Sequence, residues 1–186
     1  MQQVVQEIKN LSIGFTSKKG EQISILKNIS TTINKGETVG IVGESGSGKS
    51  TLALAMMGYV KHGLFTISGE CIYQSNDILK MKNRELENIR GRKIAMIPQN
   101  AGQSLTPNLK IGYQIDEALR LHTNFQKEDR DVKISELLNK VRLPSPETIA
   151  KRYPHELSGG QQQRVAVAMA LACLLYTSDA ADEHTG

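Results

Sequence analysis

The run from Gly43 to Thr51 carries the strongest chemical signal in the sequence. It reads Gly43-Glu44-Ser45-Gly46-Ser47-Gly48-Lys49-Ser50-Thr51. This run fits the pattern G-x-x-x-x-G-K-[ST]. Glycines let backbone N–H groups curve around an anion without Cβ clashes, and a following helix adds its positive end. The run therefore predicts a loop that cradles nucleotide phosphates, with Lys49 on the β- and γ-phosphates and the Ser50 hydroxyl on Mg²⁺.

A second candidate site lies much further along the chain. It reads Leu157-Ser158-Gly159-Gly160-Gln161 and continues as Gln162-Gln163-Arg164. Ser158 is a favourable helix cap, and the two glycines leave the first N–H groups of the helix open to an anion. The pattern predicts a second helix start that binds phosphate.

Strand-like segments surround the first loop. Apolar residues at Thr38–Val42 predict a short strand that runs into the loop, and Lys49–Tyr59 predicts the helix that leaves it. Two further strands are predicted near the N-terminus, at Val4–Phe15 and Gln22–Ile33, joined by a turn at residues 18–20. The remaining predicted strands are Phe65–Tyr73 and Ile94–Ile97.

The character of the sequence changes between residues 101 and about 153. Apolar residues recur there at helical spacing, first at Ile111, Ile115 and Leu119, and then at Val132, Leu137, Leu138 and Val141. Prolines at 144 and 146 interrupt this pattern. We expect a helical insertion within an α/β chain, followed by an apolar helix from Gln161 to about Cys173.

Composition limits the classes of protein that fit. The 186 residues are 39% hydrophobic and 23% charged, as in ordinary globular domains, and the net charge of +4 does not require a nucleic acid partner. The only cysteines are Cys71 and Cys173, which favours a reducing compartment. We expect both to be buried small apolar residues. The longest apolar stretch, Val165–Tyr176, is shorter than the roughly 20 residues of a membrane span.

The two glycine-rich motifs together resemble those of ATP-binding cassette (ABC) proteins, whose signature sequence is LSGGQ with QR shortly after. The segment from Lys93 to Gln99 resembles the strand and Q-loop of the same family. The resemblance implies that Gln99 helps to hold Mg²⁺ and the attacking water and couples the core to the helical insertion. It also implies that Phe15 stacks on adenine, although Phe15 can equally be a core residue of its strand.

The resemblance implies an α/β fold of the P-loop NTPase class. Its core is a mostly parallel sheet with flanking helices, joined by an antiparallel β lobe at the N-terminus and an α-helical insertion. We expect one ATP-binding domain over residues 1–175, with the core and β lobe at 1–100, the helical subdomain at 101–157 and the signature helix at 158–175. Residues 176–186 form an atypical tail.

Finer resemblance indicates the ATPase subunits of dipeptide, oligopeptide and nickel importers. It rests on segments 40–48, 89–91, 104–107, 111–115 and 153–158. Such a subunit hydrolyses ATP as a homo- or heterodimer at the cytoplasmic face of the cell membrane, beneath permease chains and, indirectly, an extracellular substrate-binding protein. No nucleic acid partner is implied, and the cargo, peptide or nickel, is left open.

The resemblance stops after Cys173. The family continues there into an apolar strand ending in Asp-Glu-Pro, in which the Asp holds Mg²⁺ and the Glu polarises the attacking water. Asp182-Glu183 imitates that pair, but its register is one residue late and no apolar strand precedes it. We therefore expect the catalytic glutamate and the C-terminal part of the core to be absent from this truncated chain, which should bind ATP without hydrolysing it.

Two alternatives remain beside the importer subunit. One is a nucleotide-binding fragment without hydrolysis, which differs from the first only in the residues after Cys173. The other is a DNA-handling ATPase of the same superfamily, which would carry long coiled coils or zinc modules between the two motifs. The sequence shows neither sustained heptads nor a CxxC pair in that interval, which argues against the second alternative.

Overall fold

The computed structural model describes the backbone of residues 3–182 and the side chains of residues 3–174, residue 101 excepted. The chain divides into two compact units, Met1–Leu86 and Glu87–Gly186. Each unit carries one of the two glycine-rich motifs.

The first unit is built on a four-stranded antiparallel sheet. Its strands are β1 (Val4–Thr16), β2 (Gln22–Asn34), β3 (Phe65–Tyr73) and β4 (Asn76–Asp77), in the order β2-β1-β3-β4. The predicted N-terminal hairpin and the strand at 65–73 are confirmed. Register shifts interrupt β1 beside both of its neighbours, and Asn10 and Asn28 adopt positive φ at these irregularities.

The core of the first unit lies between the sheet and two short helices, α1 (Lys49–Met56) and α2 (Asn83–Glu87). Ile8, Leu11 and Ile13 of β1 are buried, and a register shift between Ile8 and Leu11 interrupts the regular alternation of buried and exposed residues. Helix α1 buries Leu52 and Ala55, and α2 buries Leu86. The sheet and α1 thus share one apolar layer, which fixes the start of the helix next to the glycine-rich loop.

The strand predicted at residues 38–42 does not form. This segment has no strand pairing, and its residues are exposed, with Val42 96% exposed. The strand at 94–97 is also absent, since its neighbourhood contains only a single parallel bridge between Arg90 and Ile94. A strand is stable only beside another strand, and within residues 3–182 neither segment has one.

The expected parallel sheet therefore does not appear in the described residues. The family places a partner strand of that sheet after Cys173, but here the same stretch belongs to a helix. The antiparallel lobe, the phosphate loop and the helical part of the predicted fold are all present.

The second unit is helical, as predicted for residues 101–153. It contains a 3-10 helix (Ala101–Ser104), α3 (Ile111–His122), α4 (Lys127–Lys140) and α5 (Pro146–Lys151). A second 3-10 helix (Pro154–Glu156) leads into α6 (Gly159–Asp182). Pro146 begins α5 rather than only interrupting a helix, because proline is well tolerated at the first helical position.

One apolar cluster holds the helices of the second unit together. Its most buried members come from α3, α4 and α6: Ile111, Ile115, Leu119, Leu137, Leu138, Val165 and Ala168. Leu105 and Leu157 anchor the segments that precede α3 and α6 to the same cluster. The periodicity of the sequence therefore identifies the core-facing sides of α3 and α4 correctly, except at Val132, which is 62% exposed.

Helix α6 extends beyond its predicted end near Cys173 and reaches Asp182. The added residues contain alanines and neither glycine nor proline, so nothing in their sequence breaks the helix. Glu183 lies outside the described residues. Among the described helices, none is both long and apolar enough to cross a membrane.

Candidate nucleotide-binding site

The loop from Gly43 to Thr51 leads directly into α1, as predicted. Gly48 precedes the first helical residue, Lys49, with φ of 93°, and Gly46 has φ of 85°. Side chains are disfavoured in this left-handed region, so glycine is needed for the turn. The loop is exposed from Gly43 to Ser47, while Gly48 and Lys49 are half-buried. The exposed loop thus stands at the N-terminus of a helix, a position that favours an anion.

Lys49 folds back onto the loop. Its Nζ donates hydrogen bonds to the carbonyl oxygens of Gly43 at 2.8 Å and Glu44 at 2.6 Å. The Ser47 hydroxyl lies 3.4 Å from the same nitrogen. A phosphate is a stronger partner for an ammonium group than a neutral carbonyl oxygen, because opposite charges attract each other directly. Lys49 is therefore placed to exchange these contacts for nucleotide phosphates.

The residues at the start of α1 fit Mg²⁺ bound through a nucleotide. Ser50 is exposed in the first turn of the helix, and Thr51 beside it is half-buried. The described residues contain no group of three or more His, Cys, Asp or Glu that could hold a metal ion. Mg²⁺ retains several waters and is commonly held by substrate phosphates with one or two protein ligands. The Ser50 hydroxyl suits that role, and a protein cage is absent from these residues.

Phe15 lies near the end of β1, paired with Ile23 of β2. Its side chain is half-buried, so it contributes to the sheet and also keeps a partly open surface. It belongs to the same unit as the phosphate loop. Stacking of Phe15 on adenine stays a prediction.

The second motif forms a capped helix start, as predicted. The backbone N–H of Gln161 donates to the Ser158 hydroxyl at 3.3 Å, and the N–H of Ser158 donates to Oε1 of Gln161 at 2.9 Å. This reciprocal pair is a capping box. No atom lies within 4 Å of the positions that Cβ atoms would take at Gly159 and Gly160. Those two residues leave the helix start open to a ligand.

The structure places Gln99 near the second motif. Gln99 is exposed in a turn and lines a polar cleft of about 520 Å³. The other lining residues come from the following segment and from α6: Asn100, Gly102, Gln103, Gly159, Gln162 and Gln163. Of the predicted site residues, Gln99 and Gly159 therefore share one cleft, while Lys49 and Ser50 lie in the other unit. A role of Gln99 toward Mg²⁺ stays a prediction.

Two side chains that support the second motif through hydrogen bonds to backbone carbonyl oxygens were not predicted from the sequence. Gln162 donates from Nε2 to the carbonyl oxygens of Pro154 at 2.8 Å and Leu157 at 3.2 Å. Arg164 donates from Nη1 to the carbonyl oxygen of Arg142, just beyond the end of α4, at 2.8 Å. Both residues come after the motif in sequence, but no local pattern indicates which distant carbonyl oxygens they contact.

Comparison with known proteins agrees with this geometry. The family described as "ABC transporter" matches residues 26–175. The oligopeptide transport ATP-binding protein OppD of Bacillus subtilis is 40% identical over 173 residues, which cover 89% of this chain and 46% of OppD. The glutathione import ATP-binding protein GsiA of Escherichia coli K12 is 40% identical over 172 residues, covering 89% of this chain and 27% of GsiA.

A solved structure has a similar fold. It is the ATP-binding cassette MJ0796, a dimer in a post-hydrolysis state bound to ADP and Pi. It is 32% identical, with a TM-score of 0.78 over 90% of this chain and 69% of that protein. CbiO1 of Clostridium perfringens, part of the ABC transporter complex CbiONQ, shares the fold with a TM-score of 0.69 at 20% identity.

The family match spans most of the chain and contains both motifs, so the fold and the site define a P-loop ATP-binding cassette. The chain belongs to the ABC transporter family. It spans less than half the length of the importer proteins OppD and GsiA that it matches.

Proposed function

We propose that this chain is the ATP-binding part of an importer subunit that uses ATP to drive uptake of peptides or related small cargo. The relatives OppD and GsiA carry oligopeptide and glutathione transport in their names and share 40% identity with it, which supports this class of cargo. Nickel remains an open alternative, because the residues that select cargo belong to other chains.

The observation that carries the proposal is that the chain has two helix starts suited to binding an anion. Lys49 stands at the start of α1 with its ammonium group on loop carbonyl oxygens. Ser158 caps α6, beside two open glycines. Each is suited to one side of a nucleotide phosphate, and the dimeric state of MJ0796 supports assembly of the two motifs from different subunits.

The chain's own residues perform distinct tasks in this function. Lys49 neutralises the β- and γ-phosphates, and the N–H groups of the loop hold them in place. The Ser50 hydroxyl would hold Mg²⁺ together with the phosphates, and the bound ion would supply positive charge for phosphoryl transfer. In a subunit that also has the catalytic glutamate, Gln99 orients the attacking water. The open start of α6 in a second subunit closes over the γ-phosphate and excludes bulk water.

The remaining partners are those that this assembly requires. The subunit binds peripherally at the cytoplasmic face of the membrane, where permease chains provide the membrane spans. The helical insertion favours this assembly over a DNA-handling ATPase, because α3, α4 and α5 are short and share one compact core instead of extending as a coiled coil.

The test compares ATP binding with ATP-dependent dimerisation in Ser158→Arg. A bulky cation at the start of α6 should block the γ-phosphate of the opposing subunit while leaving the phosphate loop intact. We expect light scattering with a non-hydrolysable ATP analogue to show a dimer for the unaltered protein and a monomer for the variant, with nucleotide affinity of the monomer nearly unchanged.

Gln126→Arg is the matched control, since it adds the same side chain at an exposed position outside the cleft, just before α4. It should dimerise with the analogue. If Ser158→Arg also dimerises normally, Ser158 is only a helix cap and the proposed assembly is wrong.

A further inference from the structure

Gln162 joins two parts of the second unit. Its Nε2 holds the carbonyl oxygens of Pro154 and Leu157, which lie immediately before the start of α6. Both hydrogen bonds use the amide nitrogen, so neither of them involves Oε1. The side chain is half-buried and therefore ordered by its surroundings rather than by solvent.

The other face of Gln162 lies against the segment after Gln99. A Cβ atom placed on Gly102 would overlap Oε1 of Gln162 and lie 3.1 Å from its Cδ. Surface glutamines normally move aside at little cost, but this one is held by two hydrogen bonds to the backbone. A side chain at position 102 must therefore either shift the 3-10 helix or break those bonds.

The segment from Gln99 to Leu105 is also held at the end away from Gln99. Its internal backbone hydrogen bonds join Gln103 N–H to the Asn100 carbonyl oxygen at 3.0 Å and Leu105 N–H to the Gly102 carbonyl oxygen at 3.3 Å. Leu105 is 3% exposed and belongs to the helical core. The Leu105 end of the segment is thus fixed by packing. The contact of Gly102 with Gln162 restrains the part of the segment that lies nearer to exposed Gln99.

We infer that Gln162 is a positioning residue that sets the placement of Gln99 relative to the start of α6, through its close contact with Gly102. The inference rests on the proposed function, in which Gln99 and the Ser158 helix start act on the same reaction from different subunits. The role of Gln162 in this inference is to position other groups, without taking part in the reaction itself. It keeps two functional segments of one chain at a fixed distance, so that both are in place when two subunits close on ATP.

A double-mutant cycle with Gly102→Ala and Gln162→Ala tests the inference. Gly102→Ala either displaces the Gln162 amide or shifts the 3-10 helix, and Gln162→Ala removes the amide, so both substitutions disturb the same contact. We expect each single variant to weaken ATP-dependent dimerisation by about tenfold, the effect of losing such bonds. The double variant should be no weaker than Gln162→Ala alone, because the shortened side chain leaves room for the new methyl group.

Two readouts separate positioning from general damage to the fold. Affinity of the monomer for a fluorescent ATP analogue should be unchanged in all variants, since the phosphate loop is intact. Amide hydrogen exchange at residues 157–162 without nucleotide should become faster to the same extent in all three. Gln126→Ala is the matched control, an exposed glutamine outside the cleft, just before α4, and should alter neither readout.

The outcomes distinguish this inference from the function on which it rests. If the unaltered protein neither binds ATP nor dimerises with it, the proposed function is wrong and the inference falls with it. If the unaltered protein does both, but the losses from the two substitutions multiply or Gln162→Ala has no effect, only the inference is overturned.

Discussion

At the scale of single residues, two cysteines outside the phosphate loop have raised pKa values. Cys71 is fully buried in the sheet, and this burial raises the pKa of its thiol to about 11, against a smaller opposing effect of the hydrogen bond from Gln6. Burial also raises the pKa of Cys173. Cys71 confirms the prediction of a buried apolar cysteine, whereas Cys173 is only half-buried. Neither thiol is activated for chemistry.

His122 at the end of α3 should make stability depend on pH. Its ring lies against Gly91, its Nδ1 has no hydrogen-bond partner, and burial followed by the charge of Arg92 lowers its pKa. The unfolded chain therefore binds a proton at a higher pH than the folded chain does. Stability should be intact above the ordinary histidine pKa of about 6.5 and fall as pH decreases through the lowered value.

Replacement of His122 by Gln should reduce the loss of folding stability at low pH. We expect the difference in unfolding free energy between about pH 7.5 and pH 5 to be smaller in His122→Gln, as measured by urea unfolding at both values. His62→Gln, which alters an exposed histidine, is the control. An unchanged pH dependence in His122→Gln would show that other groups cause the acid sensitivity.

At the scale of elements, the helical unit depends on one shared core and the first unit on its sheet. Helix α4 has a buried face and an exposed face. Leu138 is 0% exposed in the core cluster, whereas Val132 on the same helix is 62% exposed. The helix is otherwise strongly polar, so its stability comes mainly from the buried face. The helical insertion can therefore hold the start of α6 only while this face stays packed.

Leu138→Ala should destabilise the helical unit. Removing a fully buried leucine costs about 2–5 kcal/mol, because the transfer energy is lost and a cavity remains. Val132→Ala on the same helix should change stability by no more than about 0.5 kcal/mol. Denaturant unfolding followed by circular dichroism measures both. Equal effects of the two substitutions would contradict the assignment of the core face.

At the scale of the whole molecule, local signals predicted local structure well. The hairpin of β1 and β2, the loop before Lys49 and the cap at Ser158 all form as expected, since each depends on residues close in sequence. The strands at 38–42 and 94–97 do not form, because a strand needs neighbours that are distant in sequence. The contact between Gly102 and Gln162 could not be predicted for the same reason, because it depends on how two segments distant in sequence approach each other.

Nucleotide binding that depends on Lys49 is the central claim, and titration with a fluorescent ATP analogue tests it most directly. Lys49→Ala removes the main cationic partner of the phosphates. Loss of such charge-assisted bonds should weaken binding by about a hundredfold. Lys61→Ala, which removes an exposed lysine beyond α1, should bind as the unaltered protein does. Unchanged affinity in a folded Lys49→Ala variant would contradict the assignment of this loop as the phosphate site.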